Sequence, residues 1–476
     1  MNKKLLLINP VQDARLSLGI VAPIRVPPIG LGYVAALTPS DWEIRIVDEN
    51  VEHLSFEDAD LVGITAYTSN APRAYEIAEQ YRRRGIRTVL GGVHASLLPD
   101  EAIQFVDSVV IGEAESVWPQ VVRDSESNGL KHFYQGQLIS LEECVKHRWD
   151  LYKLQEYHTK VHVETARGCP MDCEFCSVTT LYGRSYRQRP VEDVLSELEA
   201  TDYRNLLFMD DNILGHGEIA EKRAIRLFRG MLERRLNKRW ACQVGIDFAT
   251  NSDVLKLAKK AGCLVAFIGF ESLNDECLKS MNKVRNLKVG ASNYKDVVRR
   301  IRDHGILVAG AFVLGGDGDM KDVFDRTTQF ILDSKMDGAQ ISILTPLPGT
   351  RLYNRLKQEG RLLLTRYPSD WKHYGFTEAV FKPKHMTPDE LEEGATRVYR
   401  DTCSMVKSFK RALNSAVQSR SSYGGVTMFS YNRGFRTFWL RNCWHIKDTR
   451  SSRIDDWQPD ASLTSRESCD EEAISV

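Results

Sequence analysis

Three cysteines stand close together in the run Cys169-Pro170-Met171-Asp172-Cys173-Glu174-Phe175-Cys176. Thiolates are the usual ligands of iron–sulfur clusters, and a [4Fe–4S] cube held by protein alone takes four of them. A C-x3-C-x2-C triple can hold three irons and leave the fourth open to a bound molecule. A structural zinc knot would be the other use of grouped cysteines. Such sites need four tight ligands, commonly as paired C-x2-C units, and no second pair stands within reach in sequence. The remaining cysteines, Cys144, Cys242, Cys263, Cys277, Cys403, Cys443 and Cys469, are scattered singly. That is not the spacing of a secreted disulfide scaffold, nor of a second cluster. Cys242 and Cys263 fall inside apolar strand patterns and read as small core residues.

Something must hold this loop in place. From 155 to 350 the sequence predicts strands over 161–165, 205–209, 241–246, 264–270, 307–314 and 339–344, with helical patterns between them. Six βα units imply a partial (βα)6 barrel, and barrel chemistry gathers on the loops after the strands. The cysteine triple follows the first strand, as that rule requires. Met209-Asp210-Asp211-Asn212 follows the second, where the acids are either ligand contacts or caps of the next helix. Glu271 and Ser272 close the fourth strand, and a glutamate there is costly unless paired. Gly310 and Gly315-Gly316 belong to the fifth, and Thr345-Pro346-Leu347-Pro348-Gly349-Thr350 follows the sixth. Arg184, Arg187 and Arg189 lie just past the cysteines and offer bidentate forks to a carboxylate.

Residues 1–150 predict a second α/β unit. Apolar runs at 4–9, 42–48, 61–66, 87–91 and 108–111 alternate with helices over 29–37 and 71–84, where Ala74, Ile77, Ala78 and Tyr81 make one apolar stripe. The pattern implies a parallel, doubly wound sheet, which binds ligands past the carboxyl ends of its strands. Candidate contacts at those ends are Asn9, Thr68, Ser69, Gly91, Gly92, His94, Gly112 and Glu113.

Arg167-Gly168-Cys169…Cys173…Phe175-Cys176 resembles the signature of the radical S-adenosylmethionine (SAM) superfamily. Pro27-Pro28-Ile29-Gly30-Leu31-Gly32-Tyr33, the Gly91-Gly92-Val93-His94 strand end and Val110-Ile111-Gly112-Glu113-Ala114-Glu115 resemble the cobalamin-binding domain of cobalamin-dependent (class B) radical SAM methyltransferases. Residues 371–386, followed by Thr387-Pro388-Asp389-Glu390-Leu391, resemble the C-terminal extension of a subgroup that includes the hopanoid methylases. The resemblance implies three cofactors. A [4Fe–4S] cluster sits on Cys169, Cys173 and Cys176. SAM is contacted by Phe175, Asp210, Asp211, Glu271, Ser272 and Gly310, and one of the three arginines meets its carboxylate. Cobalamin lies over the first domain. No D-x-H-x-x-G motif is present, which leaves the lower cobalt ligand open, with His94 the one histidine at a predicted strand end. The resemblance also implies an electron donor such as flavodoxin or ferredoxin, and an extension that closes the barrel mouth.

Composition sets limits on partners. Lys plus Arg and Asp plus Glu both number 64, so no global basic field argues for nucleic acid. The apolar run after Lys4 is short and ends at Asn9, so it reads as a strand rather than a signal peptide. No run approaches the length of a membrane span, and a cytoplasmic location is expected. Residues 351–447 predict a helical extension. Its aromatic and arginine mixture (Tyr431, Arg433, Phe435, Arg436, Phe438, Trp439, Arg441) reads as packing on the barrel or as a lipid-headgroup or nucleic-acid surface. Residues 448–476, rich in Ser, Asp and Glu, predict a disordered tail.

The implied reaction is methylation of an unactivated carbon on a small molecule or lipid. Alternatives within the same chemistry are ring closure, rearrangement, or transfer of the aminocarboxypropyl group of SAM to a heteroatom such as arsenic, as in arsinothricin biosynthesis. tRNA methylthiotransferases need three more N-terminal cysteines, and a non-catalytic cobalamin sensor has no use for an open iron.

Overall fold

The computed structural model describes residues 3–11 and 25–442. β1 (Lys3–Asn9), β2 (Trp42–Asp48), β3 (Leu61–Thr65), β4 (Arg87–Gly91), β5 (Ser108–Ile111) and β6 (Phe133–Gln135) form one parallel sheet in the order β2-β1-β3-β4-β5-β6. β1 is apolar throughout its middle because both faces of the sheet are covered. Leu6 and Ile8 pack with Ala74, Ile77, Ala78 and Tyr81 of helix Ala71–Arg83. Leu5 and Leu7 pack on the other side with Leu31, Val34 and Ala35 of helix Ile29–Ala36 and with Trp118 and Val121. Each such leucine stabilises the fold by about 1.5–3 kcal/mol. β6, which the sequence pattern does not predict, is a three-residue edge strand that buries only Tyr134.

The chain leaves β1 for β2 on one side and reaches β3 on the other. The loops after Asn9 and Thr65 therefore diverge, and a crevice opens at the carboxyl ends of the strands.

β7 (Val161–Val163) begins the second sheet. β8 (Ala166–Arg167) and β9 (Arg187–Gln188) then pair antiparallel, drawing the two ends of the cysteine loop together. β10 (Asn205–Phe208), β11 (Arg239–Val244), β12 (Cys263–Glu271), β13 (Leu307–Leu314) and β14 (Gly338–Ile343) complete an open parallel sheet in the order β14-β13-β12-β11-β10-β7. The sequence of six βα steps is that of a partial barrel.

Helix Pro388–Thr402 starts at a reciprocal cap. The Thr387 hydroxyl accepts from the Glu390 amide at 3.1 Å, and the Glu390 carboxylate accepts from the Thr387 amide at 2.9 Å. Helices Met405–Ser419 and Ser422–Asn442 follow as a hairpin. Tyr431, Phe435, Phe438 and Trp439 are buried against the barrel, the packing alternative for this segment. Arg441 beyond its backbone, and the predicted tail, lie outside the described residues. No helix among the described residues is long and apolar enough to cross a membrane.

Candidate active site

The cysteine loop leaves β8 through Gly168, whose φ of +88° suits glycine. A Cβ there would stand 2.5 Å from the Ser185 carbonyl oxygen, so the loop closes tightly at its neck. Cys169, Cys173 and Cys176 all line one cavity of about 650 Å³ at the carboxyl ends of the barrel strands. Among the described residues no fourth cysteine lines it. Cys242 and Cys263 are buried within β11 and β12, and the Cys277 thiol donates to Asp319 at 3.1 Å. Burial pushes the Cys173 thiol up to about 12 and raises Cys169 and Cys176 as well, so loading a metal must displace protons. Three thiols around a roomy cavity, with no fourth, suit a cluster with one open corner.

The two adjacent acids after β10 part company. Asp211 lines the cavity, and burial, followed by the charge of Glu164, pushes its carboxyl up to about 6. Asp210 does not line it, contrary to expectation. Its carboxylate accepts from the Thr165 amide and hydroxyl, both at 2.6 Å, and from the Ala166 amide at 2.8 Å. It ties the end of β10 to the segment that leads into the cysteine loop.

Glu271 also lines the cavity and takes a φ of +62° where the β12–β13 register slips. Its partner is Lys283, at 2.7 Å. Burial works against the charged amine of Lys283, but the charge of Glu271, its hydrogen bond and the nearby Cys173 and Cys176 together raise the ammonium above its ordinary value. The Lys283 ammonium also stands 5.9 Å from the centre of the Phe175 ring, and Phe175 shares the cavity wall. Ser272 and Gly310 do not line the cavity. The Ser272 hydroxyl accepts from the Asn274 amide at 3.0 Å. A Cβ on Gly310 would meet the Met336 sulfur at 2.5 Å, so that position faces the helical layer, and its neighbour Ala311 faces the cavity.

Of the arginine trio only Arg184 lines the cavity. Arg189 pairs with Glu197 at 2.6 Å, and Arg187 donates to Glu113 at 2.8 Å. Arg285 and Lys288 also line the cavity, and Arg285 contacts both Asp247 and His216.

A second cavity, of about 210 Å³, lies between the two sheets. Gly91, Gly92, Gly112 and Glu113 line it with Gly30, Tyr33, Thr65, Glu115 and Trp118, and the barrel contributes Glu164, Arg167 and Tyr182. Among the described residues no histidine lines it. The side chain of Glu113 is taken by Arg187, Arg167 and the Ile139 amide, so only the rest of the residue is free to meet a ligand.

Four expected contacts lie elsewhere. Asn9 donates to Asp48 at 2.9 Å beneath the sheet end. Thr68 and Ser69 are buried in the short turn Thr68–Asn70. His94 is fully buried, with Nε2 3.0 Å from the Tyr75 hydroxyl and 3.2 Å from Glu101, and its ring against Trp371. None of the four lines the interdomain cavity, and His94 is a packing residue. Trp371 also donates to Glu101 at 3.0 Å. The segment carrying it thus clamps the first domain, and among the described residues none beyond Ala311 lines the cysteine cavity.

Two family models match this chain: the B12 binding domain over residues 16–122 and the radical SAM superfamily over residues 163–331. Bacteriochlorophyllide d C-12(1)-methyltransferase of Chlorobaculum tepidum is 32% identical over 413 residues, covering 84% of this chain and 87% of that protein. The chain belongs to the cobalamin-dependent radical SAM methyltransferase family. The hopanoid C-2 methylase of Rhodopseudomonas palustris is 28% identical over 71% of this chain and 66% of its own length. Among solved structures, the radical SAM methyltransferase TsrM of Kitasatospora setae, with cobalamin and a [4Fe–4S] cluster bound, superposes with a TM-score of 0.65. It is 16% identical, over 92% of this chain and 99% of that one, a likeness of fold. The cofactors of this family are a [4Fe–4S] cluster, SAM and cobalamin.

Sequence reasoning missed Lys283 and Arg285 in the cysteine cavity and the place of Arg167 between the domains. A signal for Lys283 was present. A carboxylate closing an apolar strand needs a cation, and Lys279, Lys283 and Arg285 are the next basic residues after Glu271.

Proposed function

We propose that this enzyme methylates an unactivated carbon of a small molecule or lipid, drawing electrons from a flavodoxin- or ferredoxin-like donor. One observation carries the reading. A single loop lines both cavities: Arg167 and Tyr182 face the interdomain cavity, and Cys169 and Arg184, each two residues away, face the cysteine cavity. Chemistry prepared on one side is thereby adjacent to a methyl donor on the other.

When bound, the cluster and SAM supply a 5′-deoxyadenosyl radical and cobalamin supplies the methyl group. In this reading the chain's own part is placement. Cys169, Cys173 and Cys176 hold three irons. Asp211 and Glu271 set negative charge against a cationic ligand, and Arg184 and Lys283 set positive charge against its carboxylate. Phe175 offers a flat face to an aromatic group, while Val178, Val244, Ile246 and Phe267 line the cavity with apolar side chains and limit water. Tyr33, Trp118 and the glycine edges of β4 and β5 line the interdomain cavity and would hold the corrinoid there.

The test is anaerobic turnover with SAM and hydroxocobalamin, followed by mass analysis of the SAM products. 5′-Deoxyadenosine together with S-adenosylhomocysteine supports radical methylation. Methylthioadenosine supports aminocarboxypropyl transfer instead, and 5′-deoxyadenosine alone, formed without cobalamin, supports ring closure or rearrangement.

A further inference from the structure

Helix Met405–Ser419 is amphipathic in the wrong sense for a helix on a protein surface. The face it turns inward is polar: Ser408, Arg411, Ser415 and Ser419 are all buried. Arg411 donates to Asn432 at 2.7 Å and to the Thr402 carbonyl at 3.1 Å, and the Ser415 hydroxyl donates to Asp337 at 2.6 Å. The face it turns outward carries Val406, Phe409, Leu413 and Val417, which are 64%, 56%, 53% and 80% exposed. At helical spacing these four form one stripe. An apolar stripe held in water by a helix whose polar groups anchor it inward marks a surface awaiting a partner.

Charge identifies the partner. Residues 402–447 contain eight lysines and arginines and no aspartate or glutamate, in a chain whose charges balance overall. Lys407, Lys410 and Arg420 are exposed on the same helix or at its end, and none of them forms an ion pair among the described residues. A second copy docked through the same stripe about a two-fold axis would bring these cations against themselves. A nucleic acid would take the cations but has no use for protruding valines and leucines. An apolar stripe bordered by basic residues matches an anionic lipid surface, where the apolar side chains enter the acyl boundary and the cations meet headgroups.

We infer that the stripe Val406–Phe409–Leu413–Val417, with Lys407, Lys410 and Arg420, docks this enzyme on anionic membranes. The hairpin covers the end of the barrel where strands begin: Ser415 bonds Asp337, just before β14, and Lys259 bonds the carbonyls of Gly305 and Ser419. The cysteine cavity opens at the other end, so a docked enzyme keeps that mouth toward water.

The test is co-sedimentation of the full-length, cluster-loaded chain with phosphatidylcholine vesicles, with and without phosphatidylglycerol. The expected result is binding to the anionic vesicles only, weakened in about 0.5 M salt as surface charges are screened. F409E/L413E and K407E/K410E should each lower partitioning about tenfold or more, while the far-ultraviolet circular dichroism and SAM cleavage of the wild type persist. Equal binding to neutral vesicles, unchanged binding by either variant, or no vesicle binding at all would overturn the inference. So would a dimer that F409E/L413E splits, or cross-links from the stripe to residues 448–476, since either would name a different occupant.

Discussion

Arg167 and Glu113 meet across the boundary between the two sheets, guanidinium to carboxylate at 3.2 Å, with both side chains almost wholly buried. Arg167 also reaches Glu115 and Glu164, each at 2.9 Å. It stands two residues before Cys169, and Glu113 follows the end of β5 by two residues. The contact therefore joins the cysteine loop to the loops of the B12-binding domain, and one charged group sets the spacing of the two cavities.

Removing Arg167 takes the cation from Glu115 and Glu164 and leaves Glu113 to Arg187 and the Ile139 amide. Breaking a buried ion pair from one side costs about 3–5 kcal/mol. R167A should melt several degrees below the wild type and lose the coupling of cobalamin binding to SAM cleavage, with R167K intermediate because it keeps charge but not the fork. A wild-type melting curve for R167A contradicts this role.

The interdomain slot is best probed at Gly30. A Cβ there meets nothing within 4 Å, yet the residue lines the slot. G30F should fold normally and fail to retain a corrinoid through gel filtration, read by visible absorbance. Retention of a full equivalent would show that the slot is not the cobalamin site. Gly92 is a poorer probe: at φ +92° a Cβ would sit 2.7 Å from the Thr65 hydroxyl oxygen, so G92A should destabilise the apoprotein whatever binds there.

Asp210 and Asp211 should separate stability from binding. D210A leaves the donors of Thr165 and Ala166 unsatisfied and should cost about 1–3 kcal/mol or more of stability. D211N and E271Q should fold and weaken SAM binding about tenfold to a hundredfold, the worth of a hydrogen bond to a charged group. Calorimetric titration and thermal melts read the two effects, and wild-type SAM affinity in both D211N and E271Q would remove them from the site.

Acid should open the domain contacts. Burial alone would raise the carboxyl of Glu113, but the Arg187 hydrogen bond, the charge of Arg167 and the Ile139 amide together hold it below its ordinary 4.5. Glu101, likewise opposed by burial, is held down by His94, Trp371 and Tyr75. A depressed carboxyl stabilises the fold above its unfolded value, and that contribution is lost as pH falls through the folded one. The contacts should hold above pH 4.5 and weaken progressively below it. Trp371, against Glu101, reports the change through its fluorescence, and an opening midpoint above pH 4.5 contradicts the account.

Much of this was legible because buried parallel strands are written as continuous apolar runs. β1, β3, β4, β12 and β13 could be read directly, and their direction placed the cysteine loop, Asp211 and Glu271 at one end. Parity was harder. Gly310 and Ala311 lie on opposite faces of β13, and a one-residue error moves a side chain from the cavity to the helical layer. Asp210 and Asp211 are alike in sequence and differ only in which one meets the amides of Thr165 and Ala166. Pairings across long separations, such as Arg187 with Glu113 or Trp371 with Glu101, follow from how the two sheets and the extension pack and leave no local pattern. His94 is only a candidate from its place after a strand, and Tyr75, Glu101 and Trp371 enclose it.

The most direct test is to assay iron content and SAM cleavage together in four single variants, Cys169→Ala, Cys173→Ala, Cys176→Ala and Cys242→Ala. The account predicts that each of the first three loses most of its iron and all SAM cleavage after anaerobic reconstitution, while Cys242→Ala, a core residue of β11, retains both. A variant of Cys169, Cys173 or Cys176 that keeps a full cluster and cleaves SAM normally would contradict it.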